Sequence, residues 1–341
     1  MANLLELMTP KQVIAYIENR NNVQRIGDAL FPNRKTDALE IQYLKGAGGL
    51  PVAASLHSWD SETEIGSRFG AETWAQELAL IKRKLPIRER EIIAINSPRN
   101  DAELRTLINN RFNDVDTLVD GVLTRVEAMK MEALAYGKID ISENGIVGVV
   151  DYGLSPSQNI TLTDTTFDTP DVDILGQLQS WVDLMADKGV TISRAITSNK
   201  ILRLIAADPT IRSAVYGVNS AMLLTTSALN SFLQTQGLPT FITYDEKYRV
   251  QKGDGTYDTK RYFPEDRIVF MPSENLGEGM FGPTAEEIDL MGDPSIDITR
   301  VSNVLAMVYK TADPVTHWTK AVASFMPSFP GIDSIVSVKV I

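Results

Sequence analysis

The residues best suited to catalysis in this chain are two histidines, His57 and His317. His317 lies beside Trp318, without the adjacent serine or acid that would activate it for nucleophilic chemistry. The chain contains no cysteine. The absence of cysteine excludes disulfides, thiolate nucleophiles and cysteine-ligated zinc. With only two histidines, a histidine-rich metal site is excluded as well. We interpret His317 as a packed or edge-strand histidine.

A glycine-rich segment, Gly277–Gly282, has the composition of a phosphate-binding loop. It lacks the Gly-Lys-Ser/Thr sequence that completes a P-loop, whose lysine contacts the phosphates. We therefore expect a flexible surface loop here and no nucleotide site.

Acidic residues are grouped in two places. Asp254, Asp258 and Glu265 miss the spacing of a calcium-binding loop, so we expect the solvated tip of a hairpin. Another group is explained by a helix N-terminus, where the helix dipole favours negative charge: Asp168, Asp171 and Asp173. The sequence thus predicts no catalytic, cofactor-binding or metal-binding residue, no cofactor, and a protein that is not an enzyme.

The length and charge of the chain further limit the classes of protein to which it could belong. A chain of 341 residues is long for one core, so we expect two or more lobes. The formal charge of −11 argues against a broad nucleic-acid footprint. Basic residues do cluster at Lys82–Lys84 and Arg88–Arg90, which we interpret as a solvated or subunit-facing surface rather than a DNA site. No membrane span or secretory signal is predicted, so the chain is expected to be cytosolic.

The element that must organise the chain is a long helix over 103–136. Its apolar residues recur at steps of three and four, from Leu104 through Leu118 to Ala133, and Gly137 suits the C-terminal cap. Such a helix is about 50 Å long, more than a typical domain diameter. We expect it to act as a strut.

Around this helix the sequence predicts mixed α and β structure. A hairpin follows it over 138–150, and helices alternate with strands after residue 165, which indicates a second lobe. Before it, a partly alternating strand over 37–45 leads through a glycine-rich turn into a stretch over 46–84, whose middle, 52–75, is polar. We interpret 46–84 as a long excursion that reaches a neighbour, because long loops inside compact domains are uncommon.

This order of elements resembles the major capsid proteins of tailed bacteriophages, which have the Hong Kong 97-type fold, and is most similar to the lambda-type major capsid protein E family. The resemblance spans nearly the whole chain, and it depends on order and spacing more than on single motifs. The residues that carry it are Phe31-Pro32, Gly137-Lys138-Ile139, Asn199-Lys200, Tyr262–Val269, Trp318-Thr319 and Asp333–Ile341.

The resemblance implies an α+β fold with four parts. Residues 1–35 would form the N-terminal arm, and residues 36–90 the E-loop with its extended hairpin at 46–84. Residues 91–164 and 313–341 would form the P domain, which holds the spine helix 103–136. Residues 165–312 would form the α/β A domain.

The implied function is that of a structural subunit of an icosahedral phage head. The protein would self-assemble into hexamers and pentamers that enclose packaged double-stranded DNA, with which it makes only non-specific contact. Implied partners are a scaffolding protein, a portal at one vertex and a decoration protein, without a membrane. The chain would be part of the virion and would be assembled in the cytoplasm of the bacterial host.

Two other hypotheses stay open at this stage. An encapsulin-like protein compartment uses a similar fold and would differ in holding an enzyme cargo. An acidic α/β hydrolase or transferase would have to assemble its site from distant acids, with His317, Asp313 and residues 277–282 as the positions to test.

Overall fold

The computed structural model describes residues 25–45, 72–96, 101–143, 146–217, 222–291 and 297–341. The predicted first helix near Thr9 lies outside these residues, as does the middle of the predicted excursion, residues 46–71. The helices are α1 (Ile26–Leu30), α2 (Glu89–Asn96), α3 (Asp101–Tyr136), α4 (Ile174–Asp187), α5 (Asn199–Ala207), α6 (Pro209–Tyr216), α7 (Thr226–Thr235), α8 (Ala285–Asp289) and a short 3-10 helix, Pro330–Ser334.

The strands belong to several separate sheets. In chain order they are β1 (Asn33–Lys35), β2 (Glu40–Lys45), β3 (Glu72–Glu77), β4 (Ala79–Ile87), β5 (Lys138–Glu143), β6 (Ile146–Asp151), β7 (Asn159–Thr161), β8 (Arg194–Thr197), β9 (Thr240–Thr243), β10 (Lys247–Gln251), β11 (Tyr257–Arg261), β12 (Arg267–Met271), β13 (Glu278–Gly282), β14 (Asp297–Val301), β15 (Val304–Ala312), β16 (Val315–Ser328) and β17 (Val336–Lys339).

Helix α3 confirms the predicted long helix. It is 36 residues long and ends at Gly137, whose φ of 67° is the left-handed conformation that glycine adopts without strain. Its apolar stripe is buried at Val115, Leu118 and Val119. Near its C-terminal end the helix is buried on all sides and not only along one stripe: every residue over 126–135 except Glu132 is buried.

The chain divides into two compact units, and the division falls within α3. The first unit takes the described residues up to Ile41, together with Gln76–Met129 and Glu278–Ser328. Its centre is a six-stranded sheet in the order β1-β13-β16-β15-β14, with β4 also paired to β16. Strand β16 is therefore an interior strand, which pairs with β13, β15 and β4.

The second unit contains Gln42–Ala75, Lys130–Gly277 and Phe329–Ile341. Its main sheet has the order β7-β17-β12-β8-β9, and every residue of β12 is buried. Polar side chains begin the surrounding helices: Ser198 caps α5 by accepting from the Ile201 N–H, and Thr225 caps α7 by accepting from the Ala228 N–H. Two-stranded hairpins β5–β6 and β10–β11 complete the unit.

Three predicted boundaries are wrong for local reasons. Helix α4 was expected to begin near Asp171, but Asp171 has a φ of 59° and Asp173 is the N-cap. The sequence predicts a strand over 190–197, but β8 begins only at Arg194, and the Val190 N–H is still bonded to the carbonyl of Met185 in the turn that ends α4. The strand expected over 260–263 is β11, three residues earlier.

The predicted excursion over 46–84 needs the same kind of correction. Strands β2 and β3 pair with each other and form the base of a hairpin, so its returning arm ends at Glu77. Residues 79–84 are instead part of β4, which pairs along β16. Among the described residues, no helix is long and apolar enough to cross a membrane.

Candidate assembly surface

His317 lies in the interior of the six-stranded sheet. It is half-buried on β16, where Lys310 of β15 is its partner on one side and Ile87 of β4 on the other. Of the two interpretations of this residue, the packed histidine is confirmed and the edge-strand position is excluded.

The glycine-rich segment is a strand, so the expectation of a flexible loop is wrong. Glu278–Gly282 form β13, which pairs with β16 on one side and β1 on the other. The backbone of Gly282 is closely covered, since a Cβ there would lie 2.1 Å from the Leu78 Cδ1 atom and would force that side chain to shift. The glycines of this segment are therefore part of a paired strand and do not form a phosphate-binding loop.

The acidic residues have local structural roles. Asp254 Oδ1 accepts from the Thr256 N–H at 2.9 Å in the β10–β11 turn, and Asp173 accepts from the Gly176 N–H at the start of α4. Within the described ranges, no group of three or more His, Cys, Asp or Glu side chains is placed to hold a metal ion.

The basic residues of β4 are exposed, as predicted, and Lys82 takes part in an ion cluster. The Glu286 Oε1 atom of α8 accepts from Lys82 Nζ at 2.8 Å and from Lys320 Nζ at 2.6 Å. Burial of the Glu286 carboxyl would raise its pKa, but these two lysines outweigh burial and lower the pKa to about 2. The cluster therefore holds α8 on the sheet through a charged carboxylate.

Glu287, the next residue of α8, pairs with Lys35 and Arg300. Two consecutive carboxylates thus fasten the same short helix to cations on separate strands. The sequence pattern gave no indication of this arrangement, because its six members are spread over 35–320.

A pocket of about 560 Å³ opens where β4 ends. It is lined by two prolines, two arginines, two glutamates and two β16 side chains: Pro86, Arg88, Glu89, Arg90, Glu91, Pro314, Thr316 and Trp318. Lys84 Nζ lies 4.1 Å from the centre of the Trp318 ring, a cation–π distance. The charges of the lining balance, and no nucleophile faces a base, so the pocket has no evident catalytic arrangement.

In the second unit, aromatic rings anchor the base of the β2–β3 hairpin. The Trp74 ring lies 4.8 Å from the Tyr43 ring and 5.1 Å from the Tyr152 ring, and Tyr152 contacts Phe329 edge-on. The Trp74 Nε1–H donates to the carbonyl of Asp151 at 3.0 Å. Burial raises the pKa of both Tyr43 and Tyr152, so these phenols are neutral at physiological pH. The hairpin therefore begins from a rigid attachment.

The β5–β6 hairpin exposes apolar side chains on one face. Val147 and Val149 are 83% and 61% exposed, whereas Ile139 and Val150 on the other face are buried. Alternation along a strand places the two exposed valines side by side. This small apolar surface is available to a partner protein.

Comparisons with known proteins identify the family of this chain. The sequence profile of the family described as phage major capsid protein E matches residues 9–340, nearly the whole chain. The chain belongs to this family. As a phage major capsid protein it is a structural subunit of the phage head that assembles with its own copies into the capsid of the virion, and it is not an enzyme.

Solved structures share the fold of this capsid protein at low sequence identity. A protein assigned as the capsid protein of a prophage of Escherichia coli CFT073 is similar with a TM-score of 0.65 and 16% identity, over 98% of this chain and 99% of that one. A phage-related protein of Bordetella bronchiseptica RB50 has a TM-score of 0.58 and 11% identity, over 96% of each chain.

The capsid of cyanophage A-1(L) is also similar, with a TM-score of 0.50 and 13% identity over 93% of this chain and 92% of that one. The Hong Kong 97-type fold predicted from the order of elements is therefore confirmed. No curated protein sequence matches this capsid protein.

Proposed function

We propose that this capsid protein forms hexamers and pentamers that together enclose packaged double-stranded DNA in an icosahedral head. The single observation that carries the proposal is the family match over residues 9–340. The subunit offers features that suit assembly, because Val147 and Val149 are exposed and the β2–β3 hairpin leads into residues 46–71 from a rigid aromatic base. Residues that cannot be buried within one subunit gain burial on a neighbour.

The proposed parts follow the resemblance, with one change. Residues 1–35 serve as the N-terminal arm, residues 36–90 as the E-loop region with its hairpin, and α3 as the spine helix of the P domain. Strands β13–β15 pair with β16, which supports ending the A domain near Gly277 rather than at residue 312.

The partners we propose are those of a head that packages its genome. A scaffolding protein guides the first shell, a portal occupies one vertex, and a decoration protein stabilises the outside. Assembly takes place in the cytoplasm of the bacterial host. The subunit charge of −11 supports non-specific contact with DNA, since few cations bind phosphates and the genome stays releasable.

Electron microscopy of the purified protein, with and without co-expressed scaffolding protein, tests this function. We expect closed shells, tubes or separate capsomers of six and five subunits. A monodisperse monomer under every assembly condition would reject the proposal.

An excision tests the role of the hairpin. We expect that replacing residues 48–70 by a short Gly-Ser turn, while keeping Tyr43 and Trp74, leaves the subunit folded by circular dichroism and prevents closed shells by sedimentation. A matched control shortens the β10–β11 turn at Gly253–Gly255, and its helix and strand content should also be unchanged. Normal capsids from the excised protein would show that this hairpin is not the E-loop.

An encapsulin-like compartment is the weaker interpretation, because the matching family is one of phage capsid proteins. The content of purified particles separates the two functions. Heads assembled during infection should contain phage DNA, whereas co-purification of an enzyme cargo without DNA would favour the compartment.

A further inference from the structure

The β10–β11 ribbon of the second unit has a basic face. Residues 247–261 hold five Lys or Arg and two Asp, in a chain whose overall charge is −11. Lys247 and Arg249 are exposed at alternate positions of β10, so they share one face, and Tyr257 of β11 is 59% exposed on it. In the part of the chain that the structure describes, neither Lys247 nor Arg249 forms an ion pair.

A segment of opposite charge follows β7 in the same unit. Residues 163–173 contain four Asp and no Lys or Arg. Asp164, Asp168 and Asp171 are exposed, and across the described ranges they have no cationic partner. A hydrogen bond from the Phe167 N–H to the carbonyl of Val340 holds this acidic segment against the sheet at 2.8 Å.

The sheet places these two surfaces at one end: the acidic segment follows the edge strand β7, and the ribbon connects the other edge strand, β9, with the central strand β12. Strand β7 ends at Thr161, which aligns with Lys339 of β17, which in turn aligns with Arg267 of β12. The edge strand β9 ends at the same end of the sheet, where its Thr243 pairs with Thr197 and the Thr197 hydroxyl donates to the Arg267 carbonyl. Four strand spacings separate β7 from β9, about 19 Å.

We propose that the basic face of the β10–β11 ribbon docks on the acidic segment 163–173 of a neighbouring copy within a capsomer. The inference rests on the proposed function, which requires rings of this subunit. Two different surfaces that meet head to tail make a heterologous interface, and such an interface closes into a ring when the rotation fits. Opposite charges on the two surfaces set which surface meets which.

A second copy suits the ribbon better than DNA does. The complementary surface is present in the same chain, where it follows the edge strand β7. The overall charge of −11 also opposes close approach of a long polyanion, whereas a local contact between two edges is limited by screening to about 10 Å at 0.1 M salt.

A charge exchange tests the proposal on the full chain, with four variants. The ribbon variant is Lys247→Glu with Arg249→Glu, the segment variant is Asp164→Lys with Asp168→Lys, and the exchange variant combines all four changes. A matched control, Lys200→Glu with Arg203→Glu, reverses two exposed cations of α5 that also have no ion pair within the described residues.

We expect the ribbon and segment variants each to lower the yield of capsomers and shells about tenfold or more at fixed protein concentration. The exchange variant should recover to within about threefold of the wild-type yield, and the control should assemble normally. Thermal unfolding should be unchanged in all four, since the altered side chains are exposed. Neutral versions, with Gln at 247 and 249, should show an intermediate loss.

The outcomes separate this inference from the proposed function. If the wild type forms shells but the exchange variant recovers no better than the two reversals, the docking is refuted and the function stands. If the ribbon variant assembles like the wild type and only retains less DNA, the ribbon binds the genome and the proposal is refuted. If the wild type forms no capsomers or shells at all, the proposed function itself fails.

Discussion

Replacing Glu286 by Gln should weaken the first unit by removing the charge that two lysines share. The pKa of Glu286 is lowered from 4.5 to about 2, a difference that corresponds to about 3 kcal/mol. The Lys82 side chain is 39% exposed, so water screens part of this attraction. We therefore expect the free energy of unfolding to fall by about 2 kcal/mol at pH 7.

The pH dependence has a definite direction. A carboxyl with a lowered folded-state pKa stabilises the protein fully above its ordinary pKa of 4.5, and this contribution disappears as the pH falls towards about 2. Less than about half of it should remain at pH 3. The wild type and Glu286→Gln should thus differ at pH 7 and converge below pH 3.

Urea unfolding followed by circular dichroism at pH 7, 5 and 3 measures both effects. The control is Glu274→Gln, an exposed residue of the second unit, which should leave the midpoint unchanged. Equal midpoints for the wild type and Glu286→Gln at pH 7, or a difference that grows on acidification, would refute the account of the ion cluster.

The remaining predictions concern packing. Gly331→Ala should lower the free energy of unfolding by about 1–3 kcal/mol, since its Cβ would lie 2.7 Å from the Leu276 carbonyl oxygen, whereas Gly148→Ala has open space and should be neutral or slightly stabilising in the same urea titration. Val119→Asp should cost about 3 kcal/mol or more and reduce soluble yield, because Val119 is buried on α3. The exposed counterpart Val147→Asp should stay folded, and equal stability of the two Asp variants would contradict the assigned helix face.

The local elements could be predicted from sequence because their signals are local. The three-and-four spacing along α3, the glycine that ends it and the N-cap at Ser198 each lie within a few residues of the feature they specify. The order of these elements was enough to indicate the fold class. The predicted positions of α3, α4, α5, α7 and the β5–β6 hairpin are therefore correct to within a few residues, whereas α2, α6 and α8 were not predicted.

What sequence could not predict depends on pairing between distant strands. Gly277–Gly282 looked like a loop because glycine is a turn residue, and only its neighbours β1 and β16 show it to be a buried strand. Residues 79–84 were predicted to be part of the excursion, although they are part of β4, which pairs along β16. The partners of Glu286 are likewise far away in sequence, so no spacing rule could identify them.

The sequence predicted that the protein assembles with its own copies, but it did not predict which residues form the contacts. The exposed valines of β6 follow from alternation once the hairpin is known, but the sequence does not say which face packs on the subunit. The positions of the two charged surfaces of the second unit could be found only from the strand order, since residues 163–173 and the ribbon are adjacent to different strands. Single-sequence patterns carry no such information.

Electron cryomicroscopy of particles formed by the wild-type chain tests the central claim most directly. The account predicts closed icosahedral shells whose six-fold and five-fold capsomers are built from this subunit, with residues 46–71 placed on a neighbouring copy. A particle-free sample that stays monomeric with scaffolding protein present, or a subunit whose residues 46–71 fold back into its own core, would contradict it.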